Sequence, residues 1–79
     1  MDTKVRIRLK TVDDVKDFVS STLSSKVNAV LQSGRYCVDA KSIMGIFSLD
    51  LSVPITLVIE CDSSDIDSYM DKINRFLID

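Results

Sequence analysis

The chain has 79 residues, of which 46% are hydrophobic and 28% are charged, and its formal net charge at pH 7 is −2. This length predicts one domain over residues 1–79, because a second hydrophobic core would have no room. The slightly acidic balance argues against nucleic acid as a partner, since binding to phosphates is dominated by basic residues.

Neither a membrane span nor a signal peptide is indicated. The longest nearly apolar run, from Val53 to Ile59, is far shorter than the ~20 residues that cross a bilayer. Residues 1–4 lack the apolar core of a signal peptide. We therefore expect a cytoplasmic protein that does not insert into a membrane.

The two cysteines, Cys37 and Cys61, predict neither a metal site nor a redox site. They have no Cys-x-x-Cys spacing, and the chain contains no histidine that could share a metal with them. A free cysteine in a reducing compartment behaves as a small, buried hydrophobic residue. We expect both to be reduced and structural, and we expect no cofactor.

An amphipathic strand and an amphipathic helix are predicted at the start of the chain. Lys4 to Lys10 alternates basic and apolar side chains, which is typical of a half-buried strand with one wet face. Thr11 is the predicted N-cap of a helix that ends near Ser24. The apolar stripe expected to face the core consists of Val12, Val15, Phe18, Val19 and Leu23.

Three further strands are predicted in the middle of the chain. Val27 to Leu31 and Arg35 to Val38 form a hairpin, with Gly34 at the turn position that requires a positive φ. Pro54 precedes the last strand, Ile55 to Cys61, where its missing N–H does least harm. This last strand is the most apolar, which suits an interior position in a sheet.

Two more helices complete the prediction. Lys41 to Ser48 forms a short helix with Ser42 or Ala40 at its N-terminus. Ser63 or Ser64 caps the final helix. The apolar stripe of that helix consists of Ile66, Tyr69, Met70, Ile73, Phe76 and Leu77.

The element order is therefore βαββαβα, and it indicates an α/β (α+β) fold. One face of the sheet is polar and the other is apolar, so the long helices must cover a single face. The expected architecture is an open-faced sandwich.

The segment from Val38 to Leu51, and above all the run from Lys41 to Gly45, resembles a known phosphorylated segment. It is similar to the region around the regulatory serine of HPr, the phosphocarrier of the bacterial sugar phosphotransferase system. The resemblance is specific from Gly34 to Leu51. Elsewhere it is limited to the pattern of strands and helices. It implies an HPr-like fold with a four-stranded antiparallel sheet in the order 1-4-2-3, which would hold Cys37 and Cys61 apart.

The resemblance breaks down between Leu9 and Thr11, where the HPr family carries its phosphorylated histidine. The chain has no histidine at all. Thr11 stands near the place of the histidine, and Asp13 stands near that of the following arginine. A phosphothreonine ester is a poor phosphoryl donor. The negative charge of Asp13 would repel an incoming phosphoryl donor. We therefore expect neither phosphocarrier activity nor an enzyme, since no nucleophile has a base beside it.

Ser42 has two interpretations. A serine at the start of a short helix is commonly an N-cap, and nothing more is needed to explain it. The resemblance implies that Ser42 matches the regulatory phosphorylation site. A phosphate adds about −1.5 to −2 charges, which the free N–H groups of a helix start and the neighbouring Lys41 would favour.

An apolar group follows Ser42, and a helix this short cannot bury all of it. Ile43, Met44 and Phe47 match residues that are exposed in HPr and dock on its partners. Those partners are the phosphoryl-donating enzyme, sugar transporters, the HPr serine kinase and a transcriptional repressor. A surface methionine beside an aromatic ring is typical of a protein-binding patch. The alternative is that these side chains fill gaps in the core.

A basic stripe lies on the open face of the predicted sheet. It consists of Lys4, Arg6, Arg8 and Lys10. The simpler interpretation is a solvated face that also protects an edge strand from pairing. The other is an acidic partner or ligand.

Three functions follow from these observations. The preferred one is a non-catalytic regulatory adaptor, whose phosphorylation on Ser42 controls partner binding in carbon-catabolite and phosphotransferase regulation. The second is a protein-binding module with no phosphorylation, in which Ser42 is only a cap. The third is a small-ligand sensor domain, which depends on fold analogy alone.

Overall fold

The computed structural model describes residues 2–25, 27–60 and 63–78. The described strands are β1 (Asp2–Ile7), β2 (Asn28–Ser33), β3 (Tyr36–Asp39) and β4 (Ile55–Glu60). The described α-helices are α1 (Val12–Leu23), α2 (Ile43–Phe47) and α3 (Ser63–Ile73), and a short 3₁₀ helix covers Asn74–Phe76. The order of strands and α-helices is the predicted βαββαβα.

The strands form one antiparallel sheet in the order β1-β4-β2-β3, which confirms the expected topology. Leu57 of β4 is paired with Val5 on one side and with Leu31 on the other. It is fully buried, as are Ile55 and Ile59. The most apolar strand therefore lies inside the sheet, as its composition predicted.

The core lies between one face of this sheet and the helices. Phe18 of α1 and Phe76 of the 3₁₀ helix pack edge to face, with ring centroids 6.0 Å apart. The Thr22 and Tyr69 side chains are fully buried, and their hydroxyl oxygens lie 2.7 Å apart. Thr22 also donates to the Phe18 carbonyl, so this buried polar pair links α1 to α3. Gly34 has φ 60°, as the hairpin between β2 and β3 required.

Two predicted element ends differ from the structure by more than two residues. β1 ends at Ile7 instead of Lys10, and α3 ends at Ile73, so that Leu77 is not helical. Leu77 instead forms an antiparallel β-bridge with Ile7. β1 ends opposite Ile55, the first residue of its partner strand β4, and the segment after the 3₁₀ helix pairs with β1 instead of continuing α3.

Three expectations about burial also need correction. Val12 and Leu23 are 55% and 62% exposed, because they are the terminal residues of α1 and only the centre of its stripe packs on the core. Cys37 is free but exposed instead of buried. It lies on edge strand β3 and is paired with Gln32, so its side chain is on the open face. Cys61 lies outside the described residues.

None of the helices in the described part of the chain is both long enough and apolar enough to cross a membrane.

Candidate regulatory site at the start of helix α2

Ser42 is the N-cap of α2, which decides between the two predicted candidates. Its backbone is extended, with φ −101° and ψ 102°, and its Oγ accepts a hydrogen bond from the backbone N–H of Gly45 at 3.2 Å. Its carbonyl accepts the first helical hydrogen bond, from Ile46, at 3.0 Å. Ala40, the other candidate, is fully buried, whereas Ser42 is exposed.

The turn before Ser42 is held by Asp39, the last residue of β3. Its side chain accepts from the Lys41 N–H at 2.8 Å, and its carbonyl accepts from the Ser42 N–H at 3.0 Å. The Lys41 ammonium group lies 3.5 Å from Oδ1 of Asn28 on β2. Ser42 is therefore fixed to the sheet at its backbone, while its hydroxyl side remains at the surface.

Gly45 allows α2 to approach β3 closely. A Cβ atom at this position would lie 3.1 Å from the Oγ of Ser42 and 3.2 Å from the Cβ of Val38. Both distances are tighter than ordinary van der Waals contact. A side chain at this position would therefore press on the cap and on the strand beneath it.

The apolar residues of α2 divide between two faces. Ile46 is fully buried, and Leu49 beyond the helix is 6% exposed. Met44 is 78% exposed and Phe47 is 40% exposed, three residues apart and so on the same side of the helix. Ile43 is half-buried and packs against the core. We call Ile43, Met44 and Phe47 the α2 patch.

Further exposed apolar residues lie near the end of α2, and the sequence did not single them out. Tyr36 of β3 is 70% exposed and Val53 is 43% exposed. Both line a shallow depression together with Ser48 and Asp50. Tyr36 belongs to edge strand β3, whose residues are exposed or half-buried, and nothing in its local pattern predicted this.

Asp50, which also lines this depression, is fully exposed. Its carboxylate accepts hydrogen bonds from the hydroxyl and the backbone N–H of Ser52. These two donors hold the pKa of Asp50 below its usual value. The hydrogen bonds favour the charged form of the carboxyl group, so Asp50 is a stable negative charge beside the depression.

Two side-chain acceptors, those of Thr11 and Asp14, bind backbone N–H groups at the start of α1. The Thr11 Oγ1 accepts from the Asp14 N–H at 3.1 Å, and the Asp14 carboxylate accepts from the Lys10 N–H at 3.0 Å. Arg75 forms ion pairs with Asp14, at 3.8 Å, and with Asp17. The predicted N-cap, Thr11, is confirmed, and both side-chain acceptors of this turn bind backbone N–H groups.

Fold and site together define a small open-faced α/β sandwich with a serine-capped short helix. Its α1 and α2 helices contact each other. No group of three potential metal ligands occurs in the described part of the chain.

Comparison with known proteins identifies the family. The sequence model of the family described as "PTS HPr component phosphorylation site" matches residues 4–79. The chain therefore belongs to the HPr family of the phosphotransferase system. Among curated proteins, none matches the chain significantly.

Two solved structures show the same fold. The phosphocarrier protein HPr from Bacillus anthracis str. Ames is 20% identical, with a TM-score of 0.72 and 98% of each chain covered. HPr-C-His from Thermoanaerobacter tengcongensis is 27% identical, with a TM-score of 0.71, covering 94% of this chain and 91% of that one.

Membership confirms the family to which the Ser42 segment pointed. HPr proteins are phosphocarriers that work with other phosphotransferase-system proteins, and they are not enzymes. This chain differs from a histidine phosphocarrier at the decisive residue type, since it contains no histidine. Its capped threonine turn stands where the resemblance implies the active histidine.

Proposed function

We propose that the chain is a cytoplasmic, non-catalytic regulatory adaptor, a single HPr-like domain over residues 1–79. Phosphorylation of Ser42 controls what the α2 patch binds, within carbon-catabolite and phosphotransferase regulation. The observation that carries the proposal is the exposed Ser42 hydroxyl at the start of the helix that exposes Met44 and Phe47.

The position of Ser42 suits a phosphate without a change of fold. The N–H groups at the start of a helix have no intrahelical partner, and the Gly45 N–H already binds the Oγ of Ser42. Phosphate oxygens attached to that Oγ would lie near the same donors. The Ser42 backbone bonds to Asp39 and Ile46 do not involve the hydroxyl, so phosphorylation leaves them intact.

The effect of phosphorylation would fall on the α2 patch. About −1.5 to −2 charges would appear within one helical turn of Met44. Such a charge weakens binding to a purely apolar partner and strengthens binding to a partner that presents arginines. The proposed partners are an HPr serine kinase, a transcriptional regulator and sugar-transport components.

Incubation with an HPr serine kinase and ATP tests the switch. We expect one phosphate per chain in the wild type and none in Ser42→Ala. The matched control is Ser48→Ala, which removes an exposed serine hydroxyl from the other end of α2 and should be phosphorylated like the wild type. A wild type that takes up no phosphate, or a Ser42→Ala variant labelled equally, would overturn the proposal.

A second function is favoured by the structural role of Ser42 itself. Its hydroxyl is already used as the N-cap, so the serine needs no phosphorylation to explain it. The chain would then be a protein-binding module that acts through the α2 patch alone. A partner lost in Phe47→Asp but retained in both Ser42→Asp and Val53→Asp favours this module. A partner whose binding changes in Ser42→Asp favours the switch.

A further inference from the structure

The outer edge of β1 is covered only in part. β1 lies at the end of the sheet, with β4 on its inner side. The Arg6 carbonyl accepts from the Ile78 N–H at 3.1 Å, and the Arg8 N–H donates to the Phe76 carbonyl at 2.9 Å. The backbone groups of even-numbered residues therefore point away from β4.

Lys4 has the same orientation, because it lies two residues before Arg6 in the same strand. Its N–H and C=O therefore face outward, and no described residue forms a backbone hydrogen bond with them there. The Arg6 N–H, on the same side, has no such bond among the described residues either. These three groups form an open stretch of strand edge.

The chain itself shows that this edge accepts a strand. Leu77 forms an antiparallel bridge with Ile7, immediately beside the open stretch. The pairing reaches Ile78 opposite Arg6, and no described residue continues it toward Lys4. An added strand would extend a ladder that is already present.

The side chains around the open stretch alternate between charged and apolar. Lys4 and Arg6 are exposed on the open face of the sheet, opposite the uncharged Val58 and Thr56 of β4. Val5 lies on the other face and is half-buried. An open depression of about 500 Å³ lies here. It is lined by Lys4, Val5, Arg6, Thr56, Leu77 and Ile78.

We propose that the Lys4–Arg6 edge of β1 binds an extended acidic polypeptide, which adds to the sheet as a further strand. Its backbone pairs with the N–H and C=O of Lys4 and with the Arg6 N–H, and its carboxylates lie beside the Lys4 and Arg6 side chains. Its alternate apolar residues lie on the other face of the sheet, beside Val5 and Leu77. A second copy of β1 fits poorly, because it would oppose basic residues with basic residues. The proposal is independent of Ser42 and of the proposed function.

The test uses a fluorescein-labelled peptide in which valine alternates with glutamate, and it measures fluorescence anisotropy at low salt. We expect Lys4→Glu to weaken binding about tenfold, since it replaces an attraction by a repulsion. The matched control is Lys16→Glu, an exposed lysine on α1 in the helical layer, which should bind as the wild type does. The peptide with lysine in place of glutamate should not bind.

Two further measurements separate strand addition from simple charge attraction. The same acidic peptide with alternate N-methyl groups cannot pair as a strand and should lose binding to the wild type. Lys4→Pro removes an N–H that β4 does not use, so it should bind about fivefold more weakly than Lys4→Gln. The Lys4 amide should exchange its hydrogen more slowly when the peptide is bound.

Several outcomes would overturn the proposal. If the N-methylated peptide bound as tightly as the unmethylated one, the interaction would be charge attraction alone. The same would follow if Lys16→Glu weakened binding as much as Lys4→Glu. If Lys4→Pro and Lys4→Gln bound the acidic peptide with equal affinity, and circular dichroism showed both to be folded, backbone pairing at Lys4 would be excluded. If, without peptide, the Lys4 amide exchanged its hydrogen more slowly as the protein concentration rose, the edge would pair with a second copy of the chain.

Discussion

Replacing Ser42 by alanine separates the structural role of this residue from its regulatory one. The substitution removes one hydrogen bond, the 3.2 Å bond from the Gly45 N–H to the Ser42 Oγ. The two backbone bonds of Ser42 remain, because they do not use the side chain. The loss should therefore be that of an N-cap and no more.

The expected magnitude follows from the exposure of the cap. Loss of a serine N-cap costs about 0.5–2 kcal/mol. Water can replace the lost acceptor at this exposed site, which places Ser42→Ala near the lower end, at about 0.5–1 kcal/mol. For a domain of this size that corresponds to a fall in Tm of roughly 2–8 °C.

Urea denaturation and thermal unfolding followed by circular dichroism measure this change. Ser20→Ala is the matched control, because Ser20 is an exposed serine inside α1 and alanine is the better helix former there. Ser42→Asp retains an acceptor at the cap, so its free energy of unfolding should stay within about 0.5 kcal/mol of the wild type.

Two results would contradict the role of Ser42 as the N-cap of α2. A Ser42→Ala variant as stable as the wild type would show that the hydroxyl does not cap α2. A Ser42→Asp variant as unstable as Ser42→Ala would show that an acceptor at this position does not support the helix.

Two further predictions concern buried and exposed polar groups. Tyr69→Phe removes a buried hydroxyl 2.7 Å from Thr22 and should lower the free energy of unfolding by about 1–2 kcal/mol. Tyr36→Phe, at an exposed tyrosine, should change it little, and equal losses in urea denaturation would contradict the assignment. Ser52→Ala should raise the pKa of Asp50 toward its usual value in an NMR titration, and an unchanged pKa would contradict it. Because folding lowers the pKa of Asp50, its stabilising effect is present above the unfolded-state pKa and is lost as the pH falls through the folded-state pKa.

The fold was predictable because its strands and helices follow local periodicity. Alternation from Lys4 assigned the faces of β1, and the apolar strand after Pro54 was correctly placed inside the sheet. Strand and helix ends were less predictable, because they depend on contacts far apart in sequence. β1 stops at Ile7 because β4 begins opposite it at Ile55, and the segment around Leu77 is extended because it pairs with β1.

The candidate site was predictable where it depends on residue type and less so where it depends on packing. Ser42 was predicted as a cap because serine is favoured at the start of a helix. The exposure of Met44 follows from the shortness of α2. The role of Gly45 did not appear in the sequence, because it comes from the approach of Val38 on another element. The exposure of Cys37 likewise depends on β3 lying at the edge of the sheet.

Phosphopeptide mapping with two phosphoryl donors tests whether this HPr-family chain is a serine-regulated adaptor or a phosphocarrier. One sample receives the HPr serine kinase with ATP, and the other receives the phosphoryl-donating enzyme of the phosphotransferase system with phosphoenolpyruvate. We expect an acid-stable phosphate on Ser42 in the first sample and no phosphate in the second. An unlabelled Ser42 in the first sample, or an acid-labile phosphate in the second, would contradict this expectation.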